Sequence, residues 1–179
     1  LDPLKFSIDV EKRNPHVYYK EKRVESFDAV IPRIGASVTF FGTAVVRQYE
    51  QMGVFCLNTS SAITTSRDKL RAFQILSRHN IGIPKTSFVR QRSSVMPAIE
   101  RVGGAPVIVK LLQGTQGVGV VLAETVRSAE AIVDAFHSLD QNILIQEFVR
   151  SNQGTDLRAI VIGGRVAAAI RRWPANGDF

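Results

Sequence analysis

Gly114, Gly117 and Gly119 fall close together in the run VIVKLLQGTQGVGVVLAET, residues 107–125, with β-rich segments on either side. A Walker loop needs Gly-Lys-Ser/Thr running into a helix, and a dinucleotide fingerprint needs G-x-G-x-x-G between a strand and a helix. Here the order is G-x-x-G-x-G and the next element reads as a strand. The loop therefore belongs to a β-hairpin. Glycines in such a loop let backbone N–H groups approach an anion with no Cβ in the way. Thr115 and Gln116 add side-chain donors. Taken alone, the same pattern also describes a hairpin turn that binds nothing.

The neighbouring cations bear on the choice. Lys110 lies in VIVKLL, an apolar run that feeds the loop. A lysine is seldom buried without a partner, because desolvating its charge is expensive. A phosphate would supply that partner, although strand alternation can also carry Lys110 to the surface. Lys69, in SRDKL, falls in the first turn of a predicted helix, where an exposed lysine is ordinary. The apolar run ILIQEFV, 143–149, ends in Gln146, Glu147, Phe148 and Val149. Backbone groups at such a strand edge can pair with an adenine as one strand pairs with another. Asp156 and Arg158 follow at i and i+2, on one face of the next strand. The aspartate can accept from ribose hydroxyls and the arginine can grip a phosphate or carboxylate. By themselves the two read more simply as an ion pair on a solvated face.

These residues need elements to hold them. Residues 28–35 read as a short buried strand and a turn, 39–53 as a helix stopped by Gly53, and 54–57 as a second strand, a β-α-β unit with parallel strands. Residues 66–84 predict a helix capped by Ser66, with Leu70, Phe73 and Leu76 on its inner face. Strands follow at 86–90, 102–112 and 118–124, then an amphipathic helix at 127–139 with Ala129, Ile132, Val133 and Phe136 inward. The chain closes on a strand at 142–149 and a hairpin of 156–162 and 165–172 turned by Gly163–Gly164. The second part is α+β with antiparallel pairs, unlike the opening unit.

Composition narrows the class. The chain has 179 residues, 45% hydrophobic and 22% charged, which suits a folded soluble protein of one large or two small domains. No apolar run approaches the roughly 20 residues that span a bilayer, and LDPLKFSIDV is no signal peptide. Cys56 is the only cysteine, so no intrachain disulfide forms and a reducing cytoplasm fits. His16, His79 and His137 are scattered outside any metal-ligand spacing. The net charge of +7 attracts anions, but the basic residues form no long block. Direct nucleic-acid binding is not expected.

Together, TSRDKLRAFQIL, GGAPVIVKLLQGTQGVGVVLAET, ILIQEFV and GTDLRAIVIGGRVAAAI resemble the ATP-grasp ligases, and most closely the RimK family, which adds glutamate to the C-terminus of the sixth small-subunit ribosomal protein. FDAVIPRIGASVTFFGTAVVRQYEQMGVFCLN resembles that family's segment ahead of the ATP site. The resemblance covers nearly the whole chain. It implies an α+β ATP-grasp fold at 61–179, two subdomains clamping ATP, preceded by part of a β-α-β pre-ATP-grasp domain at 1–60. Lys69 and Lys110 would meet the phosphates. Gly114, Thr115, Gln116, Gly117 and Gly119 would close over them. Gln146, Glu147, Phe148 and Val149 would border the adenine and Asp156 the ribose. Arg158 would lie near the transferred phosphoryl or the acyl group.

The implied reaction activates a carboxylate as an acylphosphate, with L-glutamate as the attacking amine and a small-subunit ribosomal protein C-terminus as acceptor. It needs cations and N–H donors rather than a nucleophile. Mg²⁺ or Mn²⁺ would bridge the phosphates. The family's metal ligands, an Asp and a Glu-x-Asn, fall after the position of Phe179, so none is assigned here. The first β-α unit would precede Leu1. A fragment without ligase activity of its own is therefore expected, and homo-oligomerisation is left open. A related ligase with a small-molecule acceptor, such as a pterin or an amino-acid carrier, shares the same ATP motifs. A nucleotide-binding module without catalysis is the alternative from another class.

Overall fold

The computed structural model describes residues 1–25, 27–112, 119–137, 142–150 and 155–173. The first unit opens with β1 (Phe6–Asp9), β2 (His16–Tyr19) and β3 (Lys22–Arg23), an antiparallel sheet. Next come β4 (Ala29–Val30), α1 (Thr39–Gln51) and β5 (Phe55–Cys56), with β4 and β5 parallel. The predicted β-α-β unit is present, and its strands are shorter than expected. Helix α1 buries Val45, Val46 and Tyr49 against Val17 and Cys56. Its end is a Schellman turn, in which Gly53 N–H bonds Glu50 O and Val54 N–H bonds Tyr49 O, both at 3.0 Å. Gly53 takes φ +78°, the left-handed conformation that glycine reaches without cost.

Helix α2 (Ser60–Arg67) has no counterpart among the expected elements. SSAITTSR is rich in β-branched residues and serines, poor helix formers, so its caps matter more. Thr59 Oγ1 accepts from Ala62 N–H at 3.1 Å. Glu50 accepts from Ser60 N–H at 2.8 Å and from Ser60 Oγ at 2.6 Å. Helix α3 (Lys69–Arg78) begins three residues later than predicted. Its cap is Asp68, whose carboxylate accepts from Arg71 N–H at 3.0 Å. Ser66 lies instead in the last turn of α2, where its hydroxyl donates to Ile63 O. Leu70, Phe73 and Leu76 are half-buried rather than fully covered.

The second unit is a sheet of order β6-β9-β7-β8, every pair antiparallel, made from β6 (Thr86–Val89), β7 (Val107–Leu111), β8 (Val120–Ala123) and β9 (Ile143–Glu147). One face carries Val107, Val109, Ile143 and Ile145, packed on α4 (Val95–Arg101) and α5 (Val126–His137). Val95, Ala98 and Ile99 of α4 and Ala129 and Val133 of α5 complete this core. Helix α4 was also not foreseen, being only two turns long. Period-two alternation turns Ile108, Lys110, Leu144 and Gln146 to the opposite face. Strands β10 (Asp156–Ile162) and β11 (Arg165–Arg172) form the predicted hairpin. Both are exposed along their whole length. No helix among the described residues is long and apolar enough to cross a membrane.

Candidate functional site: two lysines on one sheet face

Lys110 sits on β7 opposite Leu144 in the register, and Gln146 is two residues further along β9. Diagonal neighbours of this kind reach each other on one face of a sheet. Lys110 Nζ donates to Gln146 Oε1 at 2.6 Å. Gln146 Nε2 in turn donates to Thr86 Oγ1 at 2.8 Å, and that hydroxyl donates to Pro84 O at 2.8 Å. Gln146 is 4% exposed, so the chain of bonds holds a buried amide in one orientation. The half-buried Lys110 finds a neutral amide here rather than a carboxylate. Its charge is solvated but not cancelled.

Lys69 arrives from another part of the chain. The Asp68 cap fixes the start of α3, and the first residue of that helix reaches the end of β7. Its Nζ donates to Leu112 O at 3.1 Å and to Leu111 O at 3.3 Å. Burial lowers the pKa of Lys69. Burial also lowers that of Lys110, and the charge of Lys69 pushes it down further. Two cations brought close at the rim of a half-buried face repel one another. An anion placed between them relieves that repulsion, so the pair has the electrostatics of a phosphate site.

Gly119 closes the described side of the glycine loop. Leu111 N–H bonds Gly119 O at 2.8 Å. Gly119 takes φ +78°, and a Cβ there would lie 2.7 Å from Leu111 Cδ1. Both facts require glycine at this point. Gly114, Thr115, Gln116 and Gly117 lie outside the described residues. At the other side, Glu147 N–H is engaged by Lys85 O at 2.9 Å. Beyond it Phe148 is half-buried and Val149 exposed.

Asp156 and Arg158 do share a face of β10, as their spacing predicts. Asp156 pairs across the hairpin with Arg172, through both Nε and Nη2. That pair, rather than an Asp156–Arg158 pair, holds its carboxyl below the usual range, with Arg158 adding a smaller push. Among the described residues the hairpin brings neither side chain into hydrogen bonding with Lys69, Lys110 or Gln146. Thr86 and the carbonyls of Leu111 and Leu112 carry no signal in the sequence. A threonine at a strand start and two leucines are unremarkable until the sheet register sets them beside the lysines.

For a nucleotide, the lysine pair and its donors fit. For a divalent metal, the described residues offer no group of three or more His, Cys, Asp or Glu side chains that could hold it.

Comparison with known proteins identifies the family and the fold. The RimK-like ATP-grasp domain model matches residues 66–179, and the RimK pre-ATP-grasp domain model matches residues 1–63. A probable alpha-L-glutamate ligase of Rhodopirellula baltica is 60% identical over 179 residues, all of this chain and 44% of the relative. One of the same description from Vibrio atlanticus is 52% identical, over all of this chain and 60% of the relative. The chain thus spans about half the length of the curated relatives it matches. The crystal structure of a RimK domain protein ATP-grasp from Sphaerobacter thermophilus superposes with a TM-score of 0.68 at 24% identity, over 83% of this chain and 56% of that one. At that identity the superposition speaks for the fold.

Proposed function

The chain belongs to the RimK-like ATP-grasp family, and on that premise we propose that it forms the nucleotide clamp of an ATP-dependent carboxylate–amine ligase. The observation that supports this most is the approach of Lys69 to Lys110 across separate elements, where the second charge meets a neutral amide. Residues 1–60 are the remainder of the pre-ATP-grasp domain and 61–179 the ATP-grasp domain in this reading.

Lys69 and Lys110 take the phosphates, and the loop from Gly114 to Gly119 covers them with its N–H groups. The edge from Gln146 to Val149 borders the adenine. Asp156 receives the ribose hydroxyls while keeping Arg172, since a carboxylate accepts several hydrogen bonds. Arg158 stabilises charge on the phosphoryl or acyl oxygens. When bound, ATP supplies a phosphoryl group that converts the acceptor carboxylate to an acylphosphate with release of ADP, and the amine of L-glutamate then displaces phosphate and loses a proton. Both steps develop charge on oxygen, which is where fixed cations and N–H donors act. Mg²⁺ or Mn²⁺ belongs with the phosphates in this family, and no step is assigned to it through these residues.

L-Glutamate as the amine follows the names of the relatives. The acceptor we infer is the C-terminus of a small-subunit ribosomal protein, which the family resemblance supports and which places the reaction in the cytoplasm. The test is to incubate the full-length protein with ATP, L-glutamate and purified small-subunit ribosomal proteins. ADP formation that needs all three, with one ribosomal protein gaining whole glutamyl residues at its C-terminus, is expected. ADP formation without any gain in protein mass would move the acceptor to a small molecule. Failure to bind ATP would end the ligase reading.

A further inference from the structure

The first unit carries a second cationic feature apart from the two lysines. An open cleft of about 780 Å³ lies between the Pro32–Gly35 turn, Asn58 and the outer side of α2. Arg33 and Arg67 both line it, and its lining contains no acidic residue. Arg67 is held in place, because its Nη2 donates to Ile34 O at 2.8 Å. That bond uses one of five guanidinium N–H donors. Arg33 makes no hydrogen bond or ion pair with any described residue. Pro32, Ile34 and Ile63 give the cleft apolar walls beside the two charges.

Its position matters as much as its charge. Arg67 is the last residue of α2, Asp68 caps the next helix, and Lys69 is the first residue of α3. Two residues of chain span at most about 7 Å, so Arg67 and the phosphate-facing Lys69 start from neighbouring points of the backbone. A volume of several hundred Å³ is far more than one small ion needs and is of the size that holds an organic ligand. Two guanidinium groups in a cleft whose described lining holds no carboxylate favour planar, bidentate anions, above all carboxylates. Apolar walls suit the methylene groups that separate carboxylates in an acidic amino acid.

We propose that this cleft is the subsite for a substrate carboxylate that does not itself react, gripped by Arg33 and Arg67 beside the phosphate site. The proposal rests on the ligase reading above and names the part of the chain that selects an acidic substrate. The carboxylate comes either from the incoming glutamate or from an acidic acceptor tail. The reacting group, the acceptor carboxylate or the glutamate amine, stays at the phosphate site, while the gripped carboxylate anchors the same molecule in register with it, which is how fixed distances become rate.

The experiment is titration calorimetry on the full-length protein with three probes: L-glutamate, the dipeptide glutamyl-glutamate and its carboxylate-free counterpart glutaminyl-glutaminamide. ATP is titrated in parallel. Carboxylate probes are expected to bind at least tenfold more tightly than the amide. Arg33→Gln and Arg67→Gln are expected to weaken them tenfold or more and to leave ATP affinity within twofold. Arg67→Lys, which keeps a donor for Ile34 O, guards against loss of the loop, and it should fall between wild type and Arg67→Gln. A loss seen with L-glutamate assigns the cleft to the incoming amine. A loss confined to the dipeptide assigns it to the acceptor tail. Carboxylate binding unchanged within twofold in the Arg33 and Arg67 variants overturns the proposal, as does an equal loss of ATP affinity. Absence of ADP formation with arginine-dependent carboxylate binding intact would overturn the ligase reading instead.

Discussion

Replacing Lys110 by methionine separates what this side chain does for the fold from what it does for a ligand. Methionine keeps the length and removes the charge. The bond of 2.6 Å to Gln146 Oε1 is lost. Gln146 is 4% exposed, so its oxygen is left buried without that donor, while its Nε2 stays on Thr86 Oγ1 at 2.8 Å. An unsatisfied buried acceptor costs about 1–3 kcal/mol. Against that, the substitution removes a charge that burial and Lys69 both disfavour. The two effects oppose, and the net destabilisation should stay below about 2 kcal/mol. For a bound nucleotide nothing offsets the loss. A hydrogen bond to a charged group contributes about 1.5–3 kcal/mol, which at about 1.36 kcal/mol per decade is roughly a 10- to 150-fold rise in Kd. Urea unfolding and ATP titration on the same Lys110→Met preparation read both quantities. ATP affinity within twofold of wild type, with a normal unfolding midpoint, would refute the assignment of Lys110 to the phosphates.

Gly119→Ala should destabilise the protein by about 2–4 kcal/mol, combining left-handed backbone strain with a Cβ forced against Leu111, where the gap is only 2.7 Å; a shift in urea midpoint small enough to mean under half a kcal/mol would show that the loop end simply moves. Lys69 and Lys110 have folded pKa values below the usual 10.5. Between those lowered values and 10.5 the unfolded chain holds more protons, so stability should rise with pH across that window and be flat below it. An anion restores the charged forms, and ATP binding in the same window should take up protons, visible as a binding heat that changes with the ionisation enthalpy of the buffer. Glu50→Gln weakens two bonds at the start of α2, to Ser60 N–H and Oγ, and should cost about 1–2 kcal/mol in chemical unfolding; since α2 also lines the arginine cleft, carboxylate binding should fall with it and ATP binding should not.

Much of this arrangement was readable from residue order. The helix at 39–53 with its Gly53 stop, the parallel unit around it, the strand pairs of the second unit and the 156–172 hairpin all follow from local rules: an apolar face at helical spacing, alternation in strands, and glycine where φ must be positive. Elements lacking such a signature were not foreseen. Helix α2 is made of poor helix formers and is fastened by Glu50, ten residues away in sequence. The β1–β3 sheet is short and mostly half-exposed. Ser66 is as good a cap as Asp68 by residue type, and only the break between α2 and α3 selects one.

The same division runs through the site. The sequence by itself determined that Lys110 lies in an apolar strand beside a glycine-rich hairpin loop, and that Gln146 ends another strand. It could not determine that Lys110 binds that glutamine, because the register of β7 against β9 depends on packing between residues 36 positions apart. Nor could it show that Lys69 closes on the Leu111 and Leu112 carbonyls, a contact across more than 40 residues. Arg33 and Arg67 are two ordinary surface arginines until the Pro32–Gly35 turn folds against α2 and leaves them facing one cleft without a carboxylate. Chemistry-bearing residue types are written locally. Their distances, and the shifts in proton affinity that follow from those distances, come only from the packing of the whole chain.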